Sequence, residues 1–213
     1  MRVVDLGHPI TNDMTTYPGD IPAVLKPGSR IETGSRSTLI SIDSHSGTHV
    51  DAPAHILENG KYMEELPKET FFGIALVIDV TKCAGRKIDL ADINAIEIKN
   101  IDYADFVLFR TDWSNKWNTK EYLSGFPVLS EPLAEFLTKQ NLKGVGFDTI
   151  SADEIDSTEM TIHKILLRSE ILIIENLCNL NKVEEKPFCM VCLPISLTKQ
   201  DGGPARVMAI LES

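Results

Sequence analysis

Three of the chain's five histidines fall within eleven residues, in His45-Ser-Gly-Thr-His49-Val-Asp51-Ala-Pro-Ala-His55. Imidazole nitrogens and a carboxylate are the donors that a borderline divalent metal takes. Packing alone gives little reason to gather them so densely. Gly47 and Pro53 oppose a continuous helix through the stretch, so His45 and His49 are not simply an i, i+4 pair on one helix face. A turn at residues 46–48 folds His49 back toward His45. If the chain is extended beyond it, His49 and Asp51 project to one side. Two imidazoles and a carboxylate then converge and leave coordination positions open, the mark of a catalytic rather than a structural metal site. His55 stands two residues past Pro53, as a fourth ligand or as the group that relays protons. The relay is the preferred role, because histidine titrates in the right range.

A more distant pair adds to the cluster. His163 lies in a helical stretch, and Glu175 ends the apolar run Ile171-Leu-Ile-Ile174. Taken alone, Glu175 reads as an exposed strand-end residue; buried there, it needs a partner or a cation.

The elements that must position these groups follow from apolar patterning. Strands are predicted over residues 3–6, 38–43, 73–80, 106–110, 144–147, 171–175 and 207–211, and helices over 90–95, 131–139 and 158–168. Asp156 and Glu159 have capping-box spacing ahead of the last helix. Short apolar strands buried on both faces, with helices between them, predict a single mixed α/β domain over residues 1–213. Residues 7–37, with four prolines and four glycines, predict a long irregular arm that serves as a lid, a binding loop or a subunit contact. Cys189-Met-Val-Cys192 has metal-motif spacing, but it lies in a run that reads as a strand. Residues three apart there point to opposite faces, so these thiols read as core.

A net charge of −10 with no basic patch argues against nucleic acid or anionic membrane as partner. The N-terminus reaches Asp5 before any apolar stretch develops, no run is long enough to span a bilayer, and four cysteines are compatible with free thiols. A cytoplasmic protein is expected.

The motif from His45 to His55 resembles the signature of the bacterial kynurenine formamidase family, also called the cyclase family. The likeness extends through Tyr17-Pro-Gly-Asp20, Leu108-Phe-Arg-Thr-Asp112-Trp, Gly146-Phe-Asp148-Thr-Ile-Ser-Ala-Asp153, His163-x-x-Leu-Leu, Glu175-Asn-Leu and Asp201-Gly-Gly-Pro-Ala-Arg206. The resemblance implies a swivelling β/β/α-type mixed sheet and an amide hydrolase with two divalent metals per chain, zinc first and manganese as the alternative. It implies that His45, His49 and Asp51 hold one metal, and that Asp51 bridges to a second held by His163 and Glu175. His55 matches the family's catalytic histidine. Tyr17 stands where the formamidases often carry Trp, and the aromatic is expected to pack on the substrate's ring. Family members form homodimers or homotetramers in which the arm reaches a neighbouring site. The best-known reaction converts N-formylkynurenine to kynurenine and formate, and relatives open isatin. Other readings are a hydrolase of another cyclic amide or lactone, a mononuclear iron oxygenase with two histidines and one carboxylate, and a non-catalytic metal-binding protein. The oxygenase has no use for His163 and Glu175, and simple binding has none for a proton relay at His55.

Overall fold

The computed structural model describes residues 1–183 and 186–212. Strand β1 (Arg2–Asp5) is followed by β2 (Val24–Pro27), β3 (Thr38–Ser41), β4 (His49–Asp51) and β5 (Phe72–Asp79). Then come α1 (Ala95–Ile101), β6 (Phe106–Arg110), α2 (Glu131–Leu137), β7 (Gly144–Phe147), α3 (Thr161–Arg168) and β8 (Leu172–Glu175). Two long strands, β9 (Phe188–Pro194) and β10 (Gly202–Leu211), end the chain.

The main sheet runs β1-β10-β4-β8-β7-β6-β5-β9, and β9 also pairs with β10. That last pairing closes seven strands into a barrel, with β1 alongside the second half of β10. Strands β5 to β8 are parallel, each step crossing over through one helix, as parallel pairing requires. Their apolar runs serve two cores at once. Leu76, Ile78, Val107, Phe109, Val145 and Ile173 pack under the helices. Their alternating neighbours Ala75, Val77, Phe106, Leu108, Leu172 and Ile174 fill the barrel. Burial on both faces accounts for the unbroken hydrophobicity of these strands. In β7, Gly146 makes room inside the barrel: a Cβ there would meet the Leu108 side chain at 2.6 Å.

The predicted strands are present, with three informative differences. The run after Thr38 stops at Ser41 and pairs only with β2, as a ribbon outside the barrel. Its apolar side chains are exposed, so their hydrophobicity marks a surface rather than a core. The arm thus contains a strand that its prolines had concealed. Helix α1 begins at Ala95 rather than Leu90, because the Asn94 side chain accepts from the N–H groups of Ile96 and Glu97. Helix α3 begins at Thr161 behind Met160, whose φ of 48° breaks the helix, so Asp156 and Glu159 form no capping box. Asp153 caps it instead, accepting from the N–H groups of Ile162 and His163, each at 3.0 Å. Cys189 and Cys192 lie on opposite faces of β9 as expected, but only Cys192 is core: Cys189 is on the outward face and exposed, because β9 is covered on one side only. Among the described residues no helix is long and apolar enough to cross a membrane.

His8 anchors the start of the arm. Its ring stacks on Trp117 with centroids 4.2 Å apart, and its N–H donates to Thr48 Oγ1 at 2.9 Å. Burial pushes its pKa down from 6.5 to about 4. The unfolded chain therefore takes up a proton that the folded chain refuses. The stability contributed by neutral His8 is full above pH 6.5 and is lost as pH falls toward 4. In His8→Phe, which keeps the stacked ring, the fall of Tm between neutral pH and pH 4 should be shallower than in the parent chain. An identical slope would remove His8 from the acid response.

Candidate metal centre

The short strand β4 organises the site. It lies between β10, which sets Asp51 opposite Gly202, and β8, which sets His49 opposite Glu175. His49 and Asp51, two residues apart, share a face. Gly47, at φ +64°, makes the turn before the strand, and its carbonyl accepts from His49 Nδ1 at 2.8 Å and from Asn176 Nδ2 at 2.9 Å. This turn brings His45 back over the strand, with Nδ1 2.8 Å from Asp51 Oδ1. The imidazole of His45 occupies the space where a side chain at position 202 would begin: a Cβ on Gly202 would lie 2.4 Å from the ring.

Around Asp51 the other groups close in. His49 Nε2 is 3.3 Å from Asp51 Oδ1 and 3.4 Å from Glu175 Oε2. On the opposite side, His163 Nε2 is 3.3 Å from Glu175 Oε1 and 3.7 Å from Asp51 Oδ2. Thus the two oxygens of Asp51 face two different sets of imidazoles. His55, in the turn after β4, has its ring centroid 3.9 Å from His45 and 5.9 Å from His163. It joins Asp51 and His163 in one potential ligand group and His45 and Asp201 in another. The structure therefore brings together every metal or catalytic residue that the sequence nominated: His45, His49, Asp51, His55, His163 and Glu175. Glu175 is buried, not the exposed strand end that its residue type alone suggests.

The electrostatics are those of two buried acids among buried bases. Burial opposes the charge on Asp51, but His49 and His45 hold its carboxyl well below the usual range. Burial likewise opposes charge on His163, yet Asp153 and Glu175 raise it to about 10. His55 goes the other way: burial lowers its pKa, and the imidazoles of His45 and His163 add to the effect. Asp51 Oδ2 is buried with no hydrogen-bond partner, a cost that a protein does not leave uncompensated. An orphaned carboxylate oxygen facing imidazole nitrogens fits a divalent metal, and the donor set of His45, His49, Asp51, His163 and Glu175 suits zinc-type ions.

Three supporting residues went unassigned in the sequence. Asp153, besides capping α3, lies 2.7 Å from His163 Nδ1 and so fixes that ring. Asp201 Oδ2 is 3.3 Å from His45 Nε2. Asn176 accepts from the Tyr122 hydroxyl and holds the Gly47 carbonyl. Only the cap left a local trace, an acid a few residues ahead of a helix; the other two act through the fold.

Above the cluster is a cavity of about 310 Å³, lined by Tyr17, Asp20, His55, Ile150, Met160 and His163 among others. The Tyr17 hydroxyl donates to the Ile155 carbonyl at 3.1 Å, which leaves the ring as a wall of this cavity. Residues 14–17 and Asp20 of the arm thus line the site of their own chain, while β2 pairs with β3 in a separate two-stranded ribbon. A larger open groove of about 560 Å³, by Arg86 and Phe126, contains none of these groups.

Known structures share this frame. One described as a potential metal-dependent hydrolase with cyclase activity is 30% identical, covers 98% of this chain and 96% of its own, and superposes with a TM-score of 0.79. Isatin hydrolase A from Ralstonia solanacearum, 23% identical, shares the fold with a TM-score of 0.85 over 99% of this chain and 92% of its own. Fold and site together define a metal-dependent hydrolase. The cyclase family profile matches residues 4–154, and the kynurenine formamidase of Bacillus cereus is 31% identical over 96% of this chain and 95% of its own. The chain belongs to the cyclase family.

If Asp153 holds His163 in its ligating orientation, Asp153→Asn should weaken metal binding by about 10–100-fold. Competition against a chromogenic chelator reads this directly. Parental affinity in a folded variant would limit Asp153 to its capping role.

Proposed function

We propose that this enzyme hydrolyses a small aryl amide, N-formylkynurenine, to kynurenine and formate, with two divalent ions, zinc first, in the centre. The observation that carries the two-ion reading is Asp51, whose Oδ1 faces His45 and His49 while Oδ2 faces His163. His45, His49 and Asp51 would hold one ion, and Asp51, His163 and Glu175 the other. Such ions supply Lewis acidity, polarising the amide oxygen and making water acidic enough to attack near neutral pH. The substrate assignment is supported by the formamidases at about 30% identity over nearly the full chain.

The chain's own residues do the rest. His55 borders the cavity, and burial keeps it neutral and able to take a proton. It accepts the proton of the attacking water and returns it to the anilino nitrogen as the C–N bond breaks, so formate and the free aryl amine leave together. Tyr17 offers its ring face to the substrate's aromatic ring, with its hydroxyl already engaged by Ile155. The arm over the cavity admits a compact substrate and excludes a polymer. The enclosed site and Tyr17, in place of Trp, also suit a fused cyclic amide such as isatin, which is the second reading.

The proposed assembly is a homodimer or homotetramer. The ribbon formed by β2 of the arm and the adjoining β3, with Leu39 and Ile40 exposed, would be the segment that reaches a partner. The proposed compartment is the cytoplasm, where the four thiols stay reduced.

Two measurements test the function. Purified without chelator, the protein should carry about two metals per chain; turnover of N-formylkynurenine should exceed that of isatin. No turnover of either, with zinc, manganese or iron restored, would refute the substrate class. His55→Ala should keep its metal and lose turnover on the order of 100-fold or more. Loss of metal in that variant would make His55 a ligand instead of the relay.

A further inference from the structure

Tyr122 is fully buried and is placed by the short turn Lys120–Leu123, in the connection between β6 and α2. Its ring packs with Trp113, Phe126, Val128 and Ile150, and Trp117 stands edge-on to it with centroids 5.1 Å apart. A phenylalanine would make the same apolar contacts. The hydroxyl therefore has another use. It donates to Asn176 Oδ1 at 2.9 Å, with the Asp148 carbonyl farther off at 3.4 Å.

From Asn176 the bonds lead into the metal centre. Its amide nitrogen donates to the Gly47 carbonyl at 2.9 Å, and the same carbonyl lies 2.8 Å from His49 Nδ1. A carbonyl only accepts, so Nδ1 carries the hydrogen and Nε2 is the nitrogen presented to Asp51 and Glu175. The direction of the amide is fixed as well. Turned over, Asn176 would set its own oxygen against the Gly47 carbonyl, acceptor against acceptor. Its backbone is already tied down at a φ of 56°, a left-handed conformation that asparagine tolerates. The N–H donates to the Thr149 carbonyl at 2.9 Å, and the carbonyl accepts from Thr48 Oγ1 at 2.5 Å. What remains free in Asn176 is the side chain, and Tyr122 and Gly47 hold it from its two ends.

We propose that Tyr122 is a positioning residue for the metal centre: through Asn176 and the Gly47 carbonyl, its hydroxyl fixes the His49 ring with Nε2 toward the ions, an inference that rests on reading His49 as a ligand. The two sides of the centre then differ in how their imidazoles are held. His163 Nδ1 has the Asp153 carboxylate at 2.7 Å, a charged acceptor that grips an N–H strongly. His49 has a neutral carbonyl, which holds the ring more weakly and belongs to a turn rather than a strand. That carbonyl needs its own support, and the buried amide and phenol supply it. Gly47 also stands between His45 and His49, so the grip on its carbonyl steadies the turn that brings those two rings together.

Tyr122→Phe keeps the ring and removes the bond. In the metal-free protein, NMR of labelled histidine reads the His49 Nδ1–H, identified by its loss in His49→Gln. In the parent chain this proton should exchange with water at least about 10-fold more slowly than in free histidine, and Tyr122→Phe should remove most of that protection. In competition with a chromogenic chelator, zinc should bind about 10-fold more weakly to Tyr122→Phe, with the circular dichroism of the parent. Asn176→Ala should weaken zinc at least as much. Adding Tyr122→Phe to it should then change nothing, because the hydroxyl acts through that amide. A variant that merely loosens the aromatic cluster would weaken zinc equally in both backgrounds, and that result would overturn the proposal. So would unchanged exchange in a folded Tyr122→Phe. A His49 proton as labile in the parent chain as in free histidine would overturn it too, even if neither variant folds. A parent chain that binds no zinc would refute the metal reading instead, and the exchange of the His49 proton would still decide whether Tyr122 orients the ring.

Discussion

A carboxylate fully removed from water, Asp51, is the group on which the structure turns. Leaving such a charge uncompensated costs several kcal/mol, so its surroundings must supply positive charge or metal. Here they do so in two directions, with His45 and His49 toward one oxygen and His163 toward the other. Glu175, buried beside it, raises the demand for positive charge within the same small volume. Two acids and three imidazoles packed this way hold one another's protons when no metal is bound. A cation that enters takes over that balance, so metal binding releases protons and weakens as pH falls.

The barrel is what makes this packing reproducible. β4 is only three residues long, yet it is hydrogen-bonded on both edges, and that fixes His49 beside Glu175 and Asp51 beside Gly202. The absent side chain at Gly202 is as much a part of the site as the ligands, because His45 lies in the space it leaves. The third histidine comes from a different element altogether. Asp153 makes α3 start where it must and orients the His163 ring with the same carboxylate, so helix position and ligand geometry cannot vary separately. The site lies where parallel strands end and their connections diverge, the usual location for ligands in such sheets.

Much of this was legible in the sequence, for definite reasons. The parallel strands declare themselves because burial on two faces demands unbroken apolar runs, and His45 to Asp51 declare a metal site because the spacing is local. His163 and Glu175 are separated from that cluster by more than a hundred residues, and only the family likeness joined them to it. Chain geometry hid other features. The strand in the arm was masked by its prolines, and the exposed apolar residues of β3 looked like core because hydrophobicity does not say whether protein or solvent faces it. The start of α1 was placed too early because its local cap, Asn94, was overlooked, and the cap of α3 was misplaced because the choice rested on a tertiary contact: Asp153 was selected by its reach to His163, which no local pattern records.

The central claim, that Asp51 joins two ions in one centre, is tested most directly by electron paramagnetic resonance of the manganese-loaded protein. Ions sharing a carboxylate about 3.5–4 Å apart interact magnetically. At two equivalents of manganese a spin-coupled spectrum is expected, and Asp51→Asn should abolish it. An isolated six-line manganese signal at full loading, with no coupled component, would contradict the bridged centre.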